Sequence, residues 1–268
     1  MKKFALTSLM ALCAATAANA ANIIDDNPLY LPSKGHFYSV SGMESSTKNA
    51  DEVIFGEEFG FGITDRWAVK AMTAIRENNW FKMTEWSALG LGLTYRVADY
   101  TNWKFDTYGE YMVTPVWTNG NNQFLHGSFL DQKDTMYSWT LGVRGGYTAA
   151  DFTVAGHVEM EYENSKSFNW NNKDVSWHTL RAGIDGQLVL TKEWNLVAGA
   201  EYEKALNRYN EVLGSWELTF GANYNFDSTK FVGAYITKDI NHIKTAEANG
   251  NWEVADGFGF GAKFGIDF

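Results

Sequence analysis

The chain has 268 residues, a formal net charge of −10, 16% aromatic residues with 11 Trp, and one cysteine. The acidic balance argues against nucleic acid as a partner, and a lone cysteine supports no disulfide framework. Beyond the first twenty residues no apolar run approaches the roughly 20 residues of a membrane-spanning helix, yet the aromatic content suits membrane interfaces, where amphipathic rings settle.

In chain order, Lys2 and Lys3 are followed by an apolar stretch from Phe4 to Ala15 and by Ala18-Asn19-Ala20. A positive start, a short oily run and an A-x-A site make residues 1–20 a secretory signal peptide, too short to be an anchor helix. Cys13 follows Leu12, where a lipoprotein signal wants a small residue, so a lipid anchor is not expected. Cleavage after Ala20 would remove the only cysteine and, with Lys2 and Lys3, bring the charge to −12. Residues 21–33 do not alternate. Asp25-Asp26-Asn27-Pro28 and Leu31-Pro32 predict an extended arm that either hangs free or tucks inside the fold.

From residue 34 to 268 the pattern is one of alternating segments. About twelve strands are predicted, over 35–44, 52–63, 66–76, 86–97, 103–116, 136–148, 151–164, 175–190, 193–205, 214–226, 230–240 and 254–268. Their connections alternate in length. Thr64-Asp65, Ala98 to Asn102, Ala149-Ala150, Thr191-Lys192 and Asp227 to Thr229 are short. Glu77 to Glu85, Trp117 to Thr135, Ser165 to Asp174, Leu206 to Leu213 and Asn241 to Glu253 are long. Trp67, Trp103, Phe152, Trp194 and Phe231 follow the short turns and, with Phe268, are expected to form one aromatic ring. Trp86, Trp117, Tyr137, Trp177 and Trp216 are expected to form another at the opposite strand ends. A soluble β-sandwich, the competing all-β fold, has no need of aromatics gathered at both ends.

The last strand, Gly257 to Phe268, alternates strictly: Phe258, Phe260, Ala262, Phe264, Ile266 and Phe268 on one face, glycine or charge on the other. Together with the short and long connections and the terminal Phe, this resembles the outer-membrane β-barrels of Gram-negative bacteria. The resemblance implies an all-β, transmembrane, antiparallel up-and-down barrel with both termini periplasmic, short periplasmic turns and longer outside loops. It also implies outer-membrane lipid as surroundings, assembly by the barrel assembly machinery through Phe268, and passive diffusion of small hydrophilic solutes.

Parity assigns the faces. A charge facing mid-bilayer lipid costs about 2–4 kcal/mol for Arg or Lys and less for Asp or Glu, so the charged sets are expected inside. The cationic candidates are Lys70, Arg76, Arg96, Lys104, Arg144, Arg181 and Lys263, and His157 is a further lumen-lining candidate. The acidic candidates are Glu58, Asp106, Glu110, Glu159, Glu161, Glu163, Asp185, Glu201, Glu203, Glu217 and Asp267. Arg181 and Asp185 lie between two Glu-rich faces and predict a cross-strand ion-pair cluster. Glu57 breaks the rule by sharing parity with Phe55, Phe59 and Phe61; a β-bulge near Gly56 or a shifted register is expected there. Strand 230–240 is apolar on both faces and gives no clear parity.

Two readings of the interior stay open: paired charges that fill the barrel, or a water-filled channel biased by charge. Inward Gly90, Gly92, Gly142, Gly146 and Gly183 leave room and favour a narrow channel, and the excess of acids predicts a mild cation preference. A closed structural or adhesive barrel is the rival, with Phe168, Trp170 and Trp252 as exposed loop aromatics. A second rival is a lipid hydrolase. His126-Gly127-Ser128 loosely resembles the His-x-Ser of outer-membrane phospholipase A, but Phe129-Leu130 follows where that family has Asn-Gly. Glu159 and Glu161 share one face, as a catalytic carboxylate pair would, but such pairs in a wet lumen are usually solvated or salt-bridged. His36, His157, His178 and His242 show no metal-ligand spacing, and no phosphate loop or cofactor fingerprint is present.

Overall fold

The computed structural model describes residues 27–47, 49–78, 83–115, 135–165, 175–206, 214–227, 229–242, 244–247, 250–253 and 257–268. Twelve antiparallel strands close into a barrel: β1 (Phe37–Ser46), β2 (Asn49–Thr64), β3 (Trp67–Asn78), β4 (Met83–Asp99), β5 (Trp103–Pro115), β6 (Thr135–Thr148), β7 (Phe152–Ser165), β8 (Val175–Val189), β9 (Trp194–Ala205), β10 (Gly214–Asn225), β11 (Lys230–His242) and β14 (Phe258–Asp267). Each pairs with its neighbours in sequence, and β1 pairs with β14 to shut the ring. Closure leaves no sheet edge, which is what a sheet in lipid requires. The predicted spans agree with these to within a few residues. The last long connection adds what alternation did not reveal, a small hairpin of β12 (Lys244–Glu247) on β13 (Gly250–Glu253).

The first strand starts at Phe37, two residues later than expected. Gly35 takes φ +82°, its N–H donates to the Gly62 carbonyl, and the His36 N–H donates to the Ser33 carbonyl, so the chain turns here before it can extend. The Phe37 N–H then donates to the Phe268 carbonyl and the Phe268 N–H to that of Phe37. Both strand ends of this closing pair lie at the rim with the short connections, the turn end. The opposite rim is the loop end.

Side-chain acceptors tie the short turns. The Thr64 hydroxyl accepts from the N–H groups of Arg66 and Trp67, and the Thr191 hydroxyl accepts likewise from Glu193 and Trp194. Asp227 accepts from the amide and hydroxyl of Thr229, which hold its carboxyl below the usual range.

Burial is inverted relative to a water-soluble protein. Leu141 is 70% exposed on the outer wall, whereas Glu163 has no exposed surface at all. Phe59, Leu91, Trp139, Phe220 and Phe264 are also exposed. Soluble monomers rarely expose an apolar surface of this extent; lipid is the solvent that suits it.

Two expectations are corrected here. Phe231 does not join the outer aromatic ring; it points inward, 1% exposed, and packs with Tyr38, while the next residue, Val232, faces out. The side chain of Trp177 lies outside the described residues. At Glu57 there is neither bulge nor slip. Gly42, Gly56 and Ala74 align in unbroken register, and the shifts in these pairings fall at Ser45/Ser46 and Gly62/Thr64. The glutamate faces out.

Candidate functional site: the barrel interior

Period-two alternation puts one side chain in two on the inner wall, so register decides which charges meet. Glu159, Arg181 and Glu203 are aligned across β7, β8 and β9. Arg181 is the hub of that row. Its Nη1 lies 3.1 Å from Glu159 and its Nε 2.9 Å from Glu203, while Nη2 donates to Glu161 and Glu201 is at 4.0 Å. The planar guanidinium suits this task because its fork of donors addresses several carboxylates at once.

Asp185 is not part of the Arg181 hub, contrary to the sequence reading. It lies 3.2 Å from Nδ1 of His157, whose Nε2 lies 3.0 Å from Glu201. A third cluster holds Lys70 2.6 Å from Glu110 and 3.5 Å from Glu58, which also accepts from the Tyr38 hydroxyl at 2.7 Å. The Tyr108 hydroxyl donates to Glu159 at 2.8 Å and so links β5 to the Arg181 hub.

At the turn end Asp106 accepts from Arg96 at 2.7 Å and from Arg144 at 2.9 Å. Both arginines also grip the arm. Arg96 donates to the Leu29 carbonyl at 2.6 Å and Arg144 to the Tyr30 carbonyl at 3.2 Å. The described part of the arm is therefore tucked into the barrel, with Leu29 2% exposed. The Tyr30 hydroxyl donates to Asp267 at 3.4 Å; burial and that carboxylate push its phenol up, so it remains a donor. A Cβ on Gly62 would meet the backbone carbonyls of Pro32 and Ser33, so only glycine lets the arm lie this close to β2.

The remaining candidates are also on inward positions. Lys104 pairs with Asp99 at 2.7 Å on the turn-end rim. Lys263 lies with its ammonium 5.6 Å from the centre of the Tyr235 ring, and Glu163 is fully buried. Glu217 stands in register between Glu201 and Asp239. Sequence reading missed Asp239, Glu44, and the tyrosines that bind carboxylates, Tyr38, Tyr108 and Tyr235; Glu44 accepts from Tyr235 at 2.9 Å. The parity of Glu44 with Val40 and Gly42 was the available signal. Nothing in β11 resolved Asp239.

The inward glycines do not leave open bore. Four lie beneath a long side chain of the adjacent strand, Met72 over Gly90, Lys70 over Gly92, Tyr108 over Gly142 and His157 over Gly183, while Gly146 lies against the backbone of Val154 and Ala155. Missing Cβ atoms let these chains lie flat on the wall. One cavity, of about 40 Å³, lies between the arm and the charged clusters, lined by Tyr30, Lys70, Tyr108, Arg144, His157 and Glu201 among others. At about 10–15 Å³ for each water, it holds roughly three. His126 and Ser128 lie outside the described residues, as do Trp117, Phe168 and Trp170. Among the described residues, no group of three or more His, Cys, Asp or Glu has metal-binding geometry.

No family model matches the sequence, and no curated protein matches it. The fold does have solved counterparts. The NanC porin superposes with a TM-score of 0.58 at 8% identity, over 86% of this chain and 98% of that one. The translocator domain of the autotransporter NalP from Neisseria meningitidis gives 0.58 at 12% identity, over 98% and 97%. The COG4313 outer membrane channel from Pseudomonas putida F1 gives 0.56 at 11%, over 89% and 97%. The chain thus has the closed, twelve-stranded, all-β architecture of outer-membrane porins and barrels.

Proposed function

We propose that the protein is a narrow outer-membrane channel that admits small hydrophilic solutes, prefers cations, and is obstructed at its turn end by its own N-terminal arm. The observation that carries this is the row Glu201, Glu217 and Asp239, directly opposed across β9, β10 and β11. Like charges in opposed positions destabilise a sheet. The charged groups that weigh most on Glu217 are Asp239, Glu44 and Glu201, all acids. A passing or resident small cation relieves that repulsion, as in the acidic rings of cation channels. By this reading residues 1–20 direct export, the turn end faces the periplasm, and the barrel assembly machinery recognises Phe268.

A second reading, a closed structural barrel, is favoured by the arm that Arg96 and Arg144 hold inside the turn end and by the side chains that cover Gly92, Gly142 and Gly183. Planar-bilayer recording of the purified protein separates the two. Discrete conductance steps that grow when residues 27–34 are deleted, with a cation-selective reversal potential in a salt gradient, support the channel. Changing Glu201→Gln, Glu217→Gln and Asp239→Asn together is then expected to move the reversal potential toward anions. Silence of both the intact and the arm-deleted protein, with heat-modifiable migration showing that the barrel has folded, rejects the channel.

A further inference from the structure

Neighbouring strands in the ring follow one another along the wall, except that β1 and β14, the first and the last, meet with no connecting turn. Closing that seam joins the two ends of the strand-forming chain, so it carries the largest loop-closure cost of any pairing. At the turn end of the seam, Tyr38 of β1 stands in register with Asp267 of β14. Tyr30 of the arm lies on that pair. Its ring centre is 6.1 Å from that of Tyr38, edge to face, and its hydroxyl donates to Asp267 at 3.4 Å. Tyr30 also packs against the buried cluster of Tyr38 and Phe231. The arm holds its own shape here. Asn27 accepts from the Tyr30 N–H at its carbonyl and from the Leu29 N–H at its side-chain oxygen, a turn around Pro28.

We infer that the arm is a latch on this seam: it docks only once the ring has closed, and it then sets how slowly the barrel opens. The groups that receive it are scattered along the chain. Arg96 is 67 residues from Leu29, Arg144 is 114 from Tyr30, and Asp267 is 237 from Tyr30. These three do not stand around one space until β4, β6 and β14 share a ring, so the berth is a product of closure. The contacts at the base of the arm are of another kind. The Gly35 N–H donates to the Gly62 carbonyl at 2.8 Å and the Lys34 N–H to the Asp65 carboxylate at 3.2 Å. Both form beside the β1–β2 hairpin and neither reaches β14. Leu29 and Tyr30 are therefore the part that acts after closure. Contacts made after the limiting step are missing from its transition state, so they slow unfolding and leave the folding rate as it was.

The test compares the purified protein with its Tyr30→Ala variant, folding into lipid vesicles and unfolding in denaturant, both followed by heat-modifiable migration. The variant is expected to unfold roughly tenfold faster, with its folding rate changed by less than about twofold. Amide hydrogen exchange in the folded variant should rise along β1 and β14 and stay as it was in β7 and β8. A variant that fails to close, or that folds about tenfold more slowly, would put the arm in the closing step and overturn the latch. An unchanged unfolding rate would overturn it too, leaving the arm an obstruction only. Exchange raised evenly around the ring would do the same, since Tyr30 would then be an ordinary packing residue. None of these readouts depends on whether the lumen conducts.

Discussion

Glu161 and Glu57 are both glutamates within strands of the same closed wall, one facing in and the other facing out. Glu161 receives a guanidinium that three further acids share, and Glu159, two residues earlier, pairs with that arginine and with the Tyr108 phenol. Glu57 receives two serine hydroxyls and, among the described residues, no cation. The inner arrangement is complete in itself, because removing either partner strands a buried charge. The outer one satisfies hydrogen bonds but leaves a charge against hydrocarbon. The contrast shows that alternation sorts charge to the inside as a rule, and that an exception needs a local device, here two serine hydroxyls.

The largest effect is expected at the hub. Arg181→Met leaves Glu159, Glu161 and Glu203 facing one another and should cost about 3–5 kcal/mol of unfolding free energy in denaturant titrations of the folded barrel. A loss near zero would break the comparison, since the inner acids would then manage as Glu57 does. Gly142→Val should cost about 2 kcal/mol in the same titration, because the Tyr108 ring occupies the space a Cβ needs. Tyr38→Phe, which takes a donor from buried Glu58, is expected to cost about 1 kcal/mol. Glu57→Leu should leave the stability of the detergent-solubilised barrel within about 0.5 kcal/mol. A marked loss there would show that the Ser-Glu-Ser unit supports the barrel itself.

Much of this was legible in the chain. Strict alternation in segments such as Trp216 to Phe226 fixes strand identity and faces, because period two has no competing explanation over that length. The Arg181 cluster was visible as an arginine between two Glu-rich faces. Its membership was not, since only register tells that Asp185 meets His157 whereas Arg181 meets Glu203. The glycines misled for the same reason: an inward glycine reads as empty space until the residue beside it on the next strand is known to be Tyr108 or Lys70. Phe231 is ambiguous because β11 is apolar on both faces, so its place after a turn does not tell an interfacial aromatic from an inward one. The arm was ambiguous because its contacts are carbonyls, which every residue has.

The Tyr30 contacts carry a mechanical meaning. Its carbonyl meets Arg144 on β6 and its hydroxyl meets Asp267 on β14, strands that stand half a circuit apart in the ring of twelve. A hoop held only by hydrogen bonds between adjacent staves resists stretching but flattens easily. One residue tied to opposite sides works as a cross-brace, so the segment at the turn end keeps the cross-section round as well as obstructing it.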